Sequence, residues 1–171
     1  MRTWLAVLGL STLACSALQR DKVPGDELGS YHVVANLDTS TCGPGALGSS
    51  DLWEFDVKLS KDGHDLYWLN GAEAIPGSLA SDGVSFAFDS QVVVQPIAPG
   101  KGQAGCSISR VDSGSGTLSS AAAPVDAFEG KLHYGFQALQ GSECQPLMGV
   151  PGGFYSLPCE MTYRMTASRK K

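Results

Sequence analysis

A chain of 171 residues with 21 glycines and only 17% charged residues has the length of one turn-rich domain and excludes a disordered or coiled-coil protein. Its formal charge of −5 favours solubility, and its only basic run is Arg169-Lys170-Lys171 at the end of the chain. General nucleic-acid binding, which needs a basic stripe for phosphate contacts, is therefore excluded.

The chain opens with Arg2, an apolar run from Trp4 to Leu10, and Ser11-Thr12-Leu13-Ala14-Cys15. A positive residue, a short apolar helix and a small-residue exit are the parts of an export signal. The run is too short to span a bilayer, which takes about 20 residues. With Ala14 and Cys15 in register the segment resembles the signal of bacterial lipoproteins, although Thr12 stands where leucine is typical and Leu13 where a small residue is. The resemblance implies a signal peptide over 1–14 and a diacylated Cys15. Because Ser16 rather than an aspartate follows, it also implies the outer membrane. Ordinary cleavage after Ala17, with release of the chain, is the alternative. Residues 15–28 are polar, carry Pro24-Gly25 and show no periodicity, so they read as a flexible tether. The domain then spans 29–171.

Tyr31, Val33 and Ala35 alternate with His32, Val34 and Asn36 in a first strand. The loop Gly43-Pro44-Gly45-Ala46-Leu47-Gly48 matches the dinucleotide pattern, but a strand follows it instead of the helix that would meet a pyrophosphate. From Trp53 to Phe88 a strand-turn-strand unit occurs twice, around Asp62-Gly63 and Asp82-Gly83. Asp-Gly between alternating runs is a strong hairpin signal. Trp53, Phe55, Val57 and Leu59 share one face. Tyr67 and Trp68 are adjacent and must point to opposite faces, which makes them the candidate binding surface. Val92-Val93-Val94 is either a strand buried on both faces or the continuation of the Phe86–Phe88 strand, and Pro96 and Pro99-Gly100 end it.

Cys106 to Arg110 resumes the alternation, Asp112-Ser113-Gly114-Ser115-Gly116 reads as a turn, and Gly116 to Ser119 returns. Strands over Phe128–Phe136 and Cys159–Met165 complete about nine antiparallel strands. An odd number does not close neatly as an up-and-down barrel, so the expected fold is all-β, a sandwich or flattened open barrel preceded by the signal-peptide helix. If Thr117–Ser120 is loop, the count is eight and a closed barrel is expected instead.

With Cys15 set aside, Cys42, Cys106, Cys144 and Cys159 are an even set in an exported chain, which argues for two disulfides. In a nine-strand meander, strand parity pairs Cys42 with Cys106 and Cys144 with Cys159. Eight strands would place all four at one end and pair Cys42 with Cys159 and Cys106 with Cys144. The four lack the close pairs of a zinc site, and His32, His64 and His133 share no metal-binding spacing. Asp62, His64 and Asp65 cluster at one hairpin tip that needs Asp-Gly for backbone reasons. No metal or cofactor is expected, and no local motif of a hydrolase or P-loop protein is present.

Trp53-x-Phe55, Asp62-Gly63, Cys106 with Arg110, Phe128-x-Gly130-x-Leu132-x-Tyr134, Gly141-Ser142-x-Cys144 and Leu157-Pro158-Cys159-x-Met161-x-Tyr163 together resemble the small envelope lipoproteins abundant in myxobacteria. That resemblance implies an exported, disulfide-bonded β-domain on a lipid anchor and brings no catalytic residues. The expected function is a non-enzymatic binding or structural domain of the bacterial envelope whose partner is a protein, glycan or lipid. A carrier of a small apolar ligand and an envelope hydrolase assembled only in three dimensions are the alternatives.

Overall fold

The computed structural model describes residues 23–46, 50–71 and 74–171. The signal segment 1–14, Cys15 and Gly48 of the glycine-rich loop lie outside the described residues. Eight strands follow in chain order: β1 (Asp26–Ser40), β2 (Leu52–Asp62), β3 (Asp65–Leu69), β4 (Ile75–Leu79), β5 (Ser85–Ile97), β6 (Cys106–Leu118), β7 (Ala127–Ala138) and β8 (Cys159–Arg169). Each pairs antiparallel with the next, and β8 pairs with β1. The result is a closed up-and-down barrel, in place of the expected sandwich or open barrel of nine strands.

The doubled hairpin is present, with altered turns. Asp62 pairs with Asp65, so Gly63-His64 forms the first turn, with Gly63 at φ +61°. The second turn spans Ala80 to Val84, where the Asp82 carboxylate accepts hydrogen bonds from the Val84 and Ser85 amides at 2.9 and 2.8 Å. The Ser85 hydroxyl, and then those two amides, hold the Asp82 carboxyl below the ordinary carboxylate range.

The miscount arose at β6, which runs straight through the expected turn at Asp112–Gly116. Gly114 and Gly116 make room for rings. Phe88 pairs with Gly77 on one side and Gly114 on the other, while Phe86 pairs with Gly116, which in turn pairs with Gly130. A Cβ on Gly116 would lie 2.6 Å from the Phe86 ring and 3.0 Å from the Gly130 Cα. Glycine inside a strand marks close approach as readily as a turn. Val92–Val94 continues β5 as one of the two readings had it; the other fails, since Val93 is 61% exposed.

The inward rows follow the register. Leu118, Phe128, Ala167, Val33 and Phe55 form one belt, and Gly116, Gly130, Met165, Ala35 and Trp53 the next. Tyr31, Leu59, Leu66 and Val125 fill the end where the chain enters, and the Tyr31 hydroxyl donates to the Val125 carbonyl at 2.9 Å. A bulge between Glu27 and Gly29 lets Leu28 and Tyr31 both turn inward. The barrel wall thus begins at Asp26, ahead of Gly29, and Ser60 is buried with its hydroxyl satisfied by donation to the Pro24 carbonyl at 2.6 Å.

Eight strands put every cysteine-bearing loop at one end. The bridges are Cys42–Cys159 and Cys106–Cys144, which corrects the nine-strand pairing and matches the eight-strand one. The first ties the ends of β1 and β8, the strands whose pairing closes the barrel. The second ties the start of β6 to the loop after β7, where Phe154 packs on Phe136 with ring centroids 5.5 Å apart.

Two outcomes follow. Peptide mapping without reduction should yield fragments joining Cys42 to Cys159 and Cys106 to Cys144, and each bridge should contribute about 3–5 kcal/mol through the long loop it closes. Gly77→Ala, whose Cβ would run into the Phe88 ring and the Ala87 carbonyl, should lower the free energy of unfolding by about 2–3 kcal/mol in urea titrations. Gly135→Ala meets nothing nearer than 3.8 Å and should change it by less than about 1 kcal/mol.

Candidate functional site

The barrel wall is uneven in height because β3 and β4 have five residues each while the others have 11 to 15. Asn70-Gly71 ends β3. On β4 the first residue paired with β5 is Gly77, opposite Phe88, and the residue before it is Pro76, which has no N–H to extend the ladder. Above that level, among the described residues, Leu52–Val57 of β2 has no β3 partner and Asp89–Ile97 of β5 has no β4 partner. A notch is left between the two free edges.

The notch opens at the cysteine-bearing end into a recess of about 90 Å³. Phe55, Trp68, Ile75, Phe88, Leu132 and Tyr134 form its apolar lining, with Asn70, Ser90 and Asp112 as polar members. A shallower groove continues from Phe55, Asn70 and Tyr134 to Leu52 and Trp53. The rings brace one another: Trp53 stacks on Tyr163 at 5.1 Å and meets Tyr134 edge-on at 5.7 Å, while Trp68 contacts Phe88 at 5.5 Å.

One wall carries charge. Arg110 and Asp112 lie two apart on β6, so both point inward, and they pair at 2.7 Å through Nη2 and Oδ2. Arg110 Nε and Asp112 Oδ1 are buried with no hydrogen-bond partner among the described residues. Tyr134 faces Asp112 across the β6–β7 register. Burial, reinforced by the Asp112 carboxylate, pushes its phenol up to about 12.

Of the pair Tyr67 and Trp68, only Trp68 reaches this site. Trp68 is buried in the recess, whereas Tyr67 points outward from β3 and is half-buried. The opposite facing holds, but the two do not make one surface. Arg110, Asp112 and Tyr134 were missed as a group. Arg110 shares strand parity with Cys106 and Ile108, a legible sign that it points inward; Asp112 falls in the stretch whose glycines read as a turn.

The histidines do not gather. His32 Nδ1 lies 3.2 Å from Asp56 and His133 Nε2 lies 3.1 Å from Glu160, both pairs on the outer surface, while His64 sits at the β2–β3 turn. Lys170, and then His32, hold the Asp56 carboxyl below the ordinary range. Among the described residues no group of three or more His, Cys, Asp or Glu is arranged to hold a metal ion, the Asp62–His64–Asp65 tip included. No helix among them is long and apolar enough to cross a membrane.

Seven large apolar side chains are exposed among the described residues: Leu52, Val92, Val93, Val111, Leu139, Val150 and Tyr155. All lie in the half of the barrel that carries the notch and the disulfides. The first described residues, at Val23 and Pro24, lie at the opposite end beside Ser60.

No protein family, curated protein or solved structure matches the chain.

Phenol ionisation reports on the recess directly. A phenol whose folded pKa is raised contributes stability that is complete below about pH 10 and is lost as pH rises through about 12. Absorbance titration at phenolate wavelengths should therefore show Tyr134 ionising near 12, and Tyr134→Phe should remove that step.

Proposed function

We propose that this chain is an exported, lipid-anchored, non-enzymatic binding domain of the bacterial envelope that uses the notch as its site. The observation that carries the reading is the recess beside the short strands β3 and β4, aromatic-lined and with Asp112, the ion-pair partner of Arg110, in its wall. The recess itself holds about 90 Å³, well below the roughly 300–1,000 Å³ of pockets that enclose whole small molecules, and the groove that continues it toward Leu52 and Trp53 is open to solvent and encloses nothing. A site of that size takes one projecting group of a larger partner, which favours recognition over carriage of an apolar ligand. The hydrolase alternative needs a nucleophile, a base and a carboxylate in one cleft. Here His32 and His133 each pair with a carboxylate on the outer surface, away from the recess.

The anchor reading rests on the N-terminal signal, its resemblance to lipoprotein signals and the cysteine arithmetic, since the two bridges use four of five cysteines and leave Cys15. Eight residues from Cys15 to Lys22 extend at most about 28 Å. An anchor at Cys15 would hold the entry end of the barrel near the outer membrane and turn the notch, with its exposed apolar rim, toward partners beyond.

Mass spectrometry of the mature protein should find a diacylated Cys15 at the N-terminus; an unmodified chain starting at Leu18 would end the anchor reading. Arrays of envelope glycans, lipids and polypeptides probed with the mature protein should give a binder that Ser90→Trp, which fills the recess, weakens at least tenfold. A binder equally well held by that variant would place the site elsewhere.

A further inference from the structure

The recess lies directly against a strand edge. Phe88, Asp89 and Ser90 of β5 line it, and from Asp89 to Ile97 the same strand has β6 on one side and no backbone partner on the other among the described residues. Natural proteins cover, shorten or charge such edges, because unpaired N–H and C=O groups are templates for another strand. This one keeps an unbroken register from Asp89 to Val94, until a register shift and Pro96 interrupt it, and its exposed side chains include Val92 and Val93. Asp89 is its only charged residue; it is exposed and makes no hydrogen bond or ion pair among the described residues.

Resting on the reading of the notch as a binding site, we infer that the partner is an extended polypeptide segment. It adds as a strand to Asp89–Val94 of β5 and inserts one aliphatic side chain into the recess. In strand addition main-chain hydrogen bonds supply affinity, and a pocket for an alternate side chain supplies specificity. Both parts are side by side here. At about 90 Å³ the recess is smaller than the roughly 150 Å³ cavity that takes a benzene, the scale of a single branched side chain, and its Ile75, Phe88 and Leu132 walls suit an aliphatic group. The free Asp89 carboxylate at the start of the edge selects a lysine or arginine on the segment's exposed face. Ser90, Gln91 and the three valines carry no charge to repel an incoming strand.

The test uses the mature chain and three probes. The first is tert-butanol, an isolated branched aliphatic group, followed by methyl NMR of Ile75 and Leu132. The second is a set of nine-residue synthetic peptides alternating apolar and polar residues with one lysine. The third is the same peptides N-methylated at single alternate amides. Tert-butanol should shift the Ile75 and Leu132 methyls. A peptide from the set should bind, slow amide exchange at alternate residues of Asp89–Val94, and lose at least tenfold in affinity when N-methylated at every second position but not at those between. Because the modification is on the peptide, folding of the protein is not at issue. Peptide binding indifferent to N-methylation, with tert-butanol still in the recess, would overturn strand addition and leave the recess reading intact. Failure of both probes would overturn both. Self-association that Val93→Lys abolishes, with no peptide bound, would make a second copy of this chain the occupant and overturn the inference.

Discussion

The structure depends on the pairing of its first strand with its last. From Tyr31 opposite Arg169 to Ser40 opposite Met161, β1 and β8 lie side by side, and this ladder converts a meander of hairpins into a barrel. Every other pairing joins neighbours in sequence and forms with little loss of chain entropy. This one joins residues more than a hundred apart, and closing so long a loop costs the unfolded chain the most freedom. The Cys42–Cys159 bridge, with a sequence separation of 117, sits at its end and removes much of that cost. At the same spot the Thr41 hydroxyl accepts from the Glu160 amide at 3.0 Å, so the seam is tied by main chain, side chain and disulfide together.

Closure also dictates what the interior can hold. Eight strands give a lumen that side chains just fill. Tyr31, Trp68, Phe86, Phe88, Phe128 and Tyr163 are too large to stack in layers unless small residues face them, and Gly77, Gly114, Gly116 and Gly130 do so. Filling fails only where the wall itself stops, at the top of β3 and β4. There the rings have no strand above them, and a polar pair, Arg110 with Asp112, is tolerated inside the barrel because the opening leaves it partly solvated. The recess, its charge and the free edge of β5 thus have one origin, the early stop of two strands at Asn70-Gly71 and Pro76.

Much of this was legible in the sequence. Alternation found β1, β2 and the inward sets of β7 and β8, because an antiparallel wall with one wet face writes its period plainly. The strand count was not legible, since a glycine that makes room for Phe86 and a glycine that turns the chain look alike in Asp112-Ser113-Gly114-Ser115-Gly116. The wrong disulfide pairing followed from that one strand, as parity carries an error to every later element. The site was hidden for a different reason. A notch is a missing neighbour, and Trp68, Asp112 and Tyr134 meet only through a closure that no local pattern records.

The closed barrel with one interrupted stretch of wall is tested most directly by residue-resolved amide hydrogen exchange of the free protein. Along β5 from Asp89 to Gln95, amides should alternate between slow exchange, where they face β6, and fast exchange, where they face the notch, while β1 from Tyr31 to Leu37 stays protected throughout. Uniform protection along Asp89–Gln95 would mean that a strand fills the notch, and fast exchange at alternate amides of Tyr31–Leu37 would mean that β8 does not close the barrel; either result contradicts the account.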